Sequence, residues 1–133
     1  MIFVDTSFWV ALRLRRDGRH EEALALLDRH ASSLFATSSH VRGETWTFLR
    51  ARGGQRDGVA FLDMVERTPR LQVVFITEAL ETDALAWLRR HDERAYSFVD
   101  ATSFALMRSL GIREALAFDG DFAAAGFVEL RPA

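Results

Sequence analysis

Apolar residues in this 133-residue chain gather in short runs separated by amphipathic segments. IFVD (2–5), LFAT (34–37), LQVVFI (71–76) and EALAF (114–118) have the length and composition of buried strands, and FVEL (127–130) is a candidate fifth. Between these runs the apolar positions recur three and four residues apart. That spacing predicts helices over 7–16, 20–31, 39–52, 55–68, 77–92 and 97–110, with DFAAAG (121–126) as a single turn. The punctuation agrees. Glu21 and Glu22 sit in a first turn, where negative charge is favoured. Gly53-Gly54 closes the third helix, Pro69 stops the fourth, Thr77 and Ser97 read as N-caps, and Gly111 ends its helix. Strands alternating with helices predict a single α/β domain over 1–133, a sandwich around a mostly parallel sheet of four or five strands. Ligands of such sheets collect at the carboxyl ends of the strands. Arg16–His20 and Arg52–Asp57 are the two places where the chain could hinge.

Composition narrows the function classes. A 49% apolar content with 11 phenylalanines suits a well-packed core, and no apolar run approaches the ~20 residues of a membrane span. The N-terminus has no basic stretch before its apolar run and carries Asp5 inside it, unlike a signal peptide. Cysteine is absent, which excludes disulfides and thiolate metal sites; a cytoplasmic protein is the expectation. All 17 basic residues are Arg, so no mechanism can use a catalytic Lys. A net charge of -2 argues against a simple polycation that coats nucleic acid. His20, His30, His40 and His91 form no closely spaced pair. Neither a G-x-S-x-G elbow nor a glycine-rich phosphate loop occurs.

Most acids lie on polar helix faces, but a few do not. Asp5 ends the first strand, where a helix N-cap is the ordinary reading; Thr6 and Ser7 could cap equally well. Glu44 lies three residues after Val41 and four before Phe48, on or at the border of its helix's apolar stripe. Asp100 shares a stripe with Phe104 and Met107, while Ser97-x-x-Asp100 resembles a capping box. Asp119 ends the fourth strand, and either it or Asp121 could cap the turn that follows. Singly, each case favours a cap or a boundary residue. Jointly, a parallel sheet brings Asp5 and Asp119 to one edge, where clustered carboxylates repel unless a cation sits among them. Oxygen donors without Cys suit Mg²⁺ or Mn²⁺.

VDTSFWVAL, SSHVRGETWTFL, SFVDATSFALMRSLG and ALAFDGDFAAAGF, in that order, resemble PIN-domain ribonucleases over essentially the whole chain, and most of all the VapC-type toxins of toxin–antitoxin pairs. The resemblance implies a PIN-like three-layer α/β sandwich and a metal-dependent endoribonuclease cutting tRNA or ribosomal RNA. It implies a catalytic quartet of Asp5, Glu44, Asp100 and Asp119, with Asp121 as an accessory carboxylate and Thr6 or Ser7 as a hydroxyl near the metal. Asp5 and Asp100 would be direct ligands of Mg²⁺ or Mn²⁺, with Glu44 and Asp119 orienting the nucleophilic water or holding a second ion. An antitoxin and a homodimer are the implied partners. Relatives often carry Ser or Thr where this chain has Ala117. Setting five site carboxylates aside leaves +3 on the remaining surface, so Arg13, Arg15, Arg16, Arg50, Arg52 and Arg56 are candidates to hold RNA. Trp9, Trp46 and Phe48 are candidate antitoxin contacts, with core packing the ordinary reading.

Two other classes compete. An aspartyl-phosphate protein also uses strand-end Asp with Mg²⁺, but receivers need a Lys, and the D-x-D here comes only at 119–121. A non-catalytic PIN-like scaffold predicts eroded acids, and all four are present.

Overall fold

The apolar run at the N-terminus becomes the middle of the sheet. In the computed structural model, which describes residues 1–132, β1 (Ile2–Val4) is buried along its whole length and has a parallel neighbour on each side. A strand so placed must be apolar on both faces, which is why its sequence runs rather than alternates. The chain continues through α1 (Thr6–Arg13) and α2 (His20–Arg29) to β2 (Phe35–Ser38), then α3 (Ser39–Arg67) and β3 (Leu71–Val74). It returns through α4 (Glu78–Arg90) and α5 (Phe98–Leu110) to β4 (Glu114–Leu116), and ends with α6 (Asp121–Ala124) and β5 (Val128–Glu129). The sheet order is β3-β2-β1-β4-β5, with every pairing parallel. Right-handed crossovers in this order place α1–α3 on one face of the sheet and α4–α6 on the other.

Differences from expectation are local. The first helix stops at Arg13 because Leu14 turns extended, so Arg15 and Arg16 lie beyond it. LQVVFI pairs only through Val74. It is an edge strand, half-exposed rather than central, because only β2 neighbours it. The expected break at Gly53-Gly54 falls on Gly54, whose φ of +83° only glycine adopts without strain. Gly54 thus separates two helices, as expected, and the second resumes so directly that the pair is labelled here as one element, α3, with a kink. Gly58 is buried under the Trp46 ring, and a Cβ there would meet that ring at 2.6 Å.

Aromatic packing ties together the elements that end at the sheet's carboxyl edge. Phe104 on α5 lies 4.9 Å from Phe122 on α6, 5.5 Å from Phe127 and 5.2 Å from Trp87. The Phe122 and Trp87 pairs meet edge-on and the Phe127 pair is stacked; such ring pairs contribute about 0.5–1.5 kcal/mol each beyond the area they bury. Phe104 stands one turn after Asp100 and Phe122 directly follows Asp121. The same rings that fill the core therefore fix two acid-bearing elements against each other.

Candidate metal centre at the switch point

The strand order reverses between β1 and β4, because the chain leaves β1 towards β2 and leaves β4 towards β5. The crevice outside the carboxyl ends of those two strands is where doubly wound sheets bind ligands. Here it is a groove of about 650 Å³ lined by Asp5, Glu44, Asp100, Asp119 and Asp121, together with Thr6 and Ser7. All five acids singled out from the sequence line it.

Asp5 is both the N-cap of α1 and a wall of the groove. Its Oδ2 accepts from the Ser7 backbone N–H (3.1 Å) and from the Ser7 hydroxyl (2.7 Å). The helix thus uses Asp5 as its cap after all, because Ser7 is occupied elsewhere: its Oγ also accepts from the Phe118 N–H at 2.9 Å. One hydroxyl thereby stitches the end of β1 to the segment leaving β4. Thr6 faces α3, where the Thr45 hydroxyl donates to its Oγ1 at 3.4 Å. Ala117, which has no hydroxyl, is fully buried, and its carbonyl accepts from Arg131 at 2.8 Å.

Glu44 lies at the border of its stripe. Val41, Thr45 and Leu49 form the buried row, and Glu44 beside them is half-buried over the groove. Asp100 sits in a complete capping box: the Ser97 hydroxyl accepts from its N–H at 2.9 Å, and its Oδ2 accepts from the Ser97 N–H at 3.0 Å. At the C-terminal turn, Asp119 Oδ1 accepts from the Asp121 N–H at 3.1 Å and closes the turn into α6, whose N-cap position is Gly120. Arg94 Nε donates to Asp121 Oδ1 at 2.8 Å, and Arg94 Nη2 donates to the Asp119 carbonyl at 3.2 Å.

Oxygens of Asp100, Asp119 and Asp121 lie within 4.8 Å of one another. Asp5 and Glu44 share the groove but stand outside that trio. The electrostatics show the strain of this gathering. Burial, then the neighbouring charge of Asp119, pushes Asp5, only 2% exposed, up to about 7. Burial, then Asp119 and Asp121, pushes Asp100 up to about 6. Asp119 is raised too, by burial and then by Asp121 and Glu129. Each shift has the sign expected of carboxylates withdrawn from water beside like charges. An all-oxygen trio of this kind fits a hard divalent cation, which would relieve the repulsion.

Sequence reasoning overlooked four residues around this groove. Glu129 on β5 is nearly buried, with 4% of its side chain exposed. Its carboxylate accepts from the N–H groups of Gly120 (3.3 Å) and Ala123 (3.0 Å), so it caps the short α6 from a distance. Arg131 pairs with Glu129 at 2.8 Å. Arg94, on the loop before α5, holds the Asp119–Asp121 turn, and Arg19 lines the groove. Glu129 looked like an ordinary residue of FVEL, and the three arginines lie in loops or a tail where no periodicity singles out a residue.

None of the six arginines proposed from the sequence lines the groove. Arg13 instead borders a separate apolar cavity of about 360 Å³ beneath α1, α2 and α3. Arg52 has its guanidinium carbon 4.5 Å from the ring centroid of Phe48, itself a groove residue. Trp9 is core, T-stacked on Phe61.

Comparison with known proteins matches this geometry to a family. Residues 2–128 match the PIN domain. The 23S rRNA-specific endonuclease VapC20 of Mycobacterium tuberculosis is 54% identical over 132 residues, 99% of each chain, in both the CDC 1551 and H37Rv strains. The crystal structure of Mycobacterium tuberculosis VapC20, described as a sarcin-ricin loop cleaving toxin, superposes with a TM-score of 0.93 at 53% identity, covering 99% of this chain and 100% of that one. With its parallel 3-2-1-4-5 sheet and its acids gathered at the switch point, this chain belongs to the PIN domain family, among the VapC-type toxins.

Proposed function

We propose that this protein is a divalent-metal-dependent endoribonuclease toxin that hydrolyses a phosphodiester bond of 23S ribosomal RNA. The observation that carries the reading is the trio of Asp100, Asp119 and Asp121 with Asp5 raised beside it at the sheet's switch point. The 54% identity to a 23S rRNA-specific endonuclease directs the substrate to ribosomal RNA rather than tRNA. An antitoxin and a homodimer follow from the family rather than from any surface described above.

Asp100, Asp119 and Asp121 would hold Mg²⁺ or Mn²⁺, and Asp5 would add a fourth carboxylate from the facing strand. Such an ion supplies an acidified water and neutralises phosphate oxygens. The protein's own part is placement. Both described side-chain hydrogen bonds of Asp5 go to Oδ2, which would leave Oδ1 for the ion. The Asp100 carboxylate is held through Oδ2 by the capping box. Glu44, half-buried and without a described salt bridge, is the group placed to orient water and take its proton. Ser7 acts on position, by fixing Asp5 and the Phe118 backbone together.

The test is cleavage of total RNA by the purified toxin, freed of any antitoxin, with Mg²⁺ or Mn²⁺ and with excess EDTA. A 23S rRNA fragment should appear with metal and vanish with EDTA, and Asp5→Ala and Asp100→Ala should each abolish it. Cleavage that survives EDTA or both substitutions would remove this mechanism.

A further inference from the structure

Arg19 is the only cation lining the acidic groove among the described residues. It stands at the N-terminus of α2, where Asp17 Oδ1 accepts from its backbone N–H at 2.8 Å and fixes the turn. Its guanidinium carbon lies 5.0 Å from the centroid of Phe118, the residue immediately before Asp119. Phe118 lines the same groove and packs on Phe8 beneath it at 5.7 Å, so its ring is a fixed shelf.

The three arginines around this turn differ in what their donors do. Arg94 spends Nε on Asp121 and Nη2 on the Asp119 carbonyl. Arg131 spends Nη1 on the carbonyls of Ala117 and Leu130 and Nη2 on Glu129. The Arg19 guanidinium makes a single described hydrogen bond, Nη1 to Glu22 Oε1 at 3.5 Å, with 45% of its side chain exposed. A guanidinium lying over an aromatic ring is held in place without spending its N–H groups. Its planar fork of donors then suits an anion with two in-plane oxygens, which is the geometry of a phosphodiester.

Charge gives such a group a purpose. Six carboxylates line the groove, those of Asp5, Asp17, Glu44, Asp100, Asp119 and Asp121, and an RNA strand brings more negative charge. A metal ion offsets part of that repulsion, and a strand entering the groove meets Arg19 as its one cation there.

We propose that Arg19, shelved on Phe118, binds a phosphodiester of the RNA strand lying in the groove beside the acid cluster. The assignment rests on the endoribonuclease reading above. Arg19 acts in substrate binding, and neither the metal nor the chemical step depends on it.

The experiment is steady-state cleavage of a fluorescent RNA stem-loop of sarcin-ricin loop sequence by wild type, Arg19→Ala and Arg19→Lys. It is run at saturating Mn²⁺ over a series of salt concentrations, with Mn²⁺ affinity measured separately by electron paramagnetic resonance without RNA. Arg19→Ala should raise KM about tenfold, which corresponds to losing one charged contact of about 1.4 kcal/mol. Its kcat should stay within about threefold, and Mn²⁺ affinity and Tm should match wild type. The salt dependence of log(kcat/KM) should become shallower by about 0.7 to 0.9 for the one phosphate contact removed. A substitution that only loosened the fold would not change that slope. Arg19→Lys should restore the slope and only part of the KM. Wild-type KM and slope in Arg19→Ala would overturn the assignment and leave the nuclease reading standing, as would a fall in kcat alone or in Mn²⁺ affinity. A wild-type protein that cuts no RNA with either metal would overturn both.

Discussion

Two strand-to-helix junctions in this molecule perform the same backbone task with different chemistry. After β1, Asp5 caps α1 with φ -93° and ψ 162°; after β2, Ser38 caps α3 with φ -105° and ψ 162°. Both caps are buried, and each side chain accepts from a backbone N–H of the first turn, Ser7 at 3.1 Å and Val41 at 2.9 Å. Ser38 does this as a neutral group. Asp5 does it as an acid that burial and Asp119 push up to about 7. Capping alone therefore accounts for Ser38 but not for the charge at Asp5. Carrying that charge in the metal-free protein opposes folding by a few kcal/mol near neutral pH. The difference leaves the β1 junction with a buried carboxylate that lines the groove and that capping alone does not require.

The sharpest way to break the comparison is to exchange what each cap carries. Asp5→Asn keeps an oxygen acceptor and removes the charge. It should reduce RNA cleavage by at least about 100-fold through loss of a metal-facing carboxylate, yet raise the Tm of EDTA-treated protein at pH 8 by at least about 3 °C. Ser38→Ala should do the reverse, losing about 1 kcal/mol of stability with its cap and leaving kcat near wild type. If Asp5→Asn lowers the Tm at pH 8, the charge is not the opposing term and the contrast fails.

The second way is to titrate it. An acid whose folded value stands above its unfolded one binds protons more tightly when folded, so metal-free stability falls as pH rises between the two. For Asp5 that window runs from its ordinary value of 3.8 to about 7, and for Asp100 from 3.8 to about 6. Thermal unfolding in EDTA should therefore show Tm declining from pH 4 to pH 7 through these groups. Mn²⁺ must displace the same protons. Its apparent affinity should rise by about tenfold per pH unit for each proton displaced below about pH 6, and level off above about pH 7. An affinity flat across that range would mean that the raised acids do not face the ion.

How much of this was legible in the sequence differs by residue. The elements could be read because buried strands such as IFV and caps such as Thr77 and Ser97 are local, and local chemistry writes itself into short windows. The acids could be read because a carboxylate at a strand end or beside an apolar stripe is anomalous where it stands. The roles around them were harder to see. Ser7 joins β1 to Phe118 across more than a hundred residues, and Glu129 caps α6 from a different strand. No local periodicity at either residue reports the partner. For the arginines sequence and structure diverge: Arg13, Arg15 and Arg16 cluster in sequence, but the early end of α1 at Arg13 carries Arg15 and Arg16 into the following loop, and none of the three lines the groove. Clustering in sequence measured helix-surface charge, whereas lining the groove depended on the turn that carries Arg19.

The smallest effect tests the two ends of the acid cluster against each other. Asp100 is held by a capping box inside its own helix, while Asp121 is held by the side chain of Arg94 across an exposed loop. A box within one helix forms with the helix and gives way to nothing, whereas an exposed ion pair contributes little and exchanges readily with solvent or a stronger cation. A metal ion held by the cluster would compete with Arg94 for the charge of Asp121, while the Ser97–Asp100 box would stay intact. Arg94→Ala removes that competitor. It should tighten Mn²⁺ binding about two- to threefold and leave Tm within about 2 °C of wild type. Ser97→Ala, which loosens the helix itself, should lower the Tm by several degrees, as loss of a cap does. Weaker Mn²⁺ binding in Arg94→Ala would show instead that Arg94 holds the Asp119–Asp121 turn in its binding shape, acting on position rather than competing for charge.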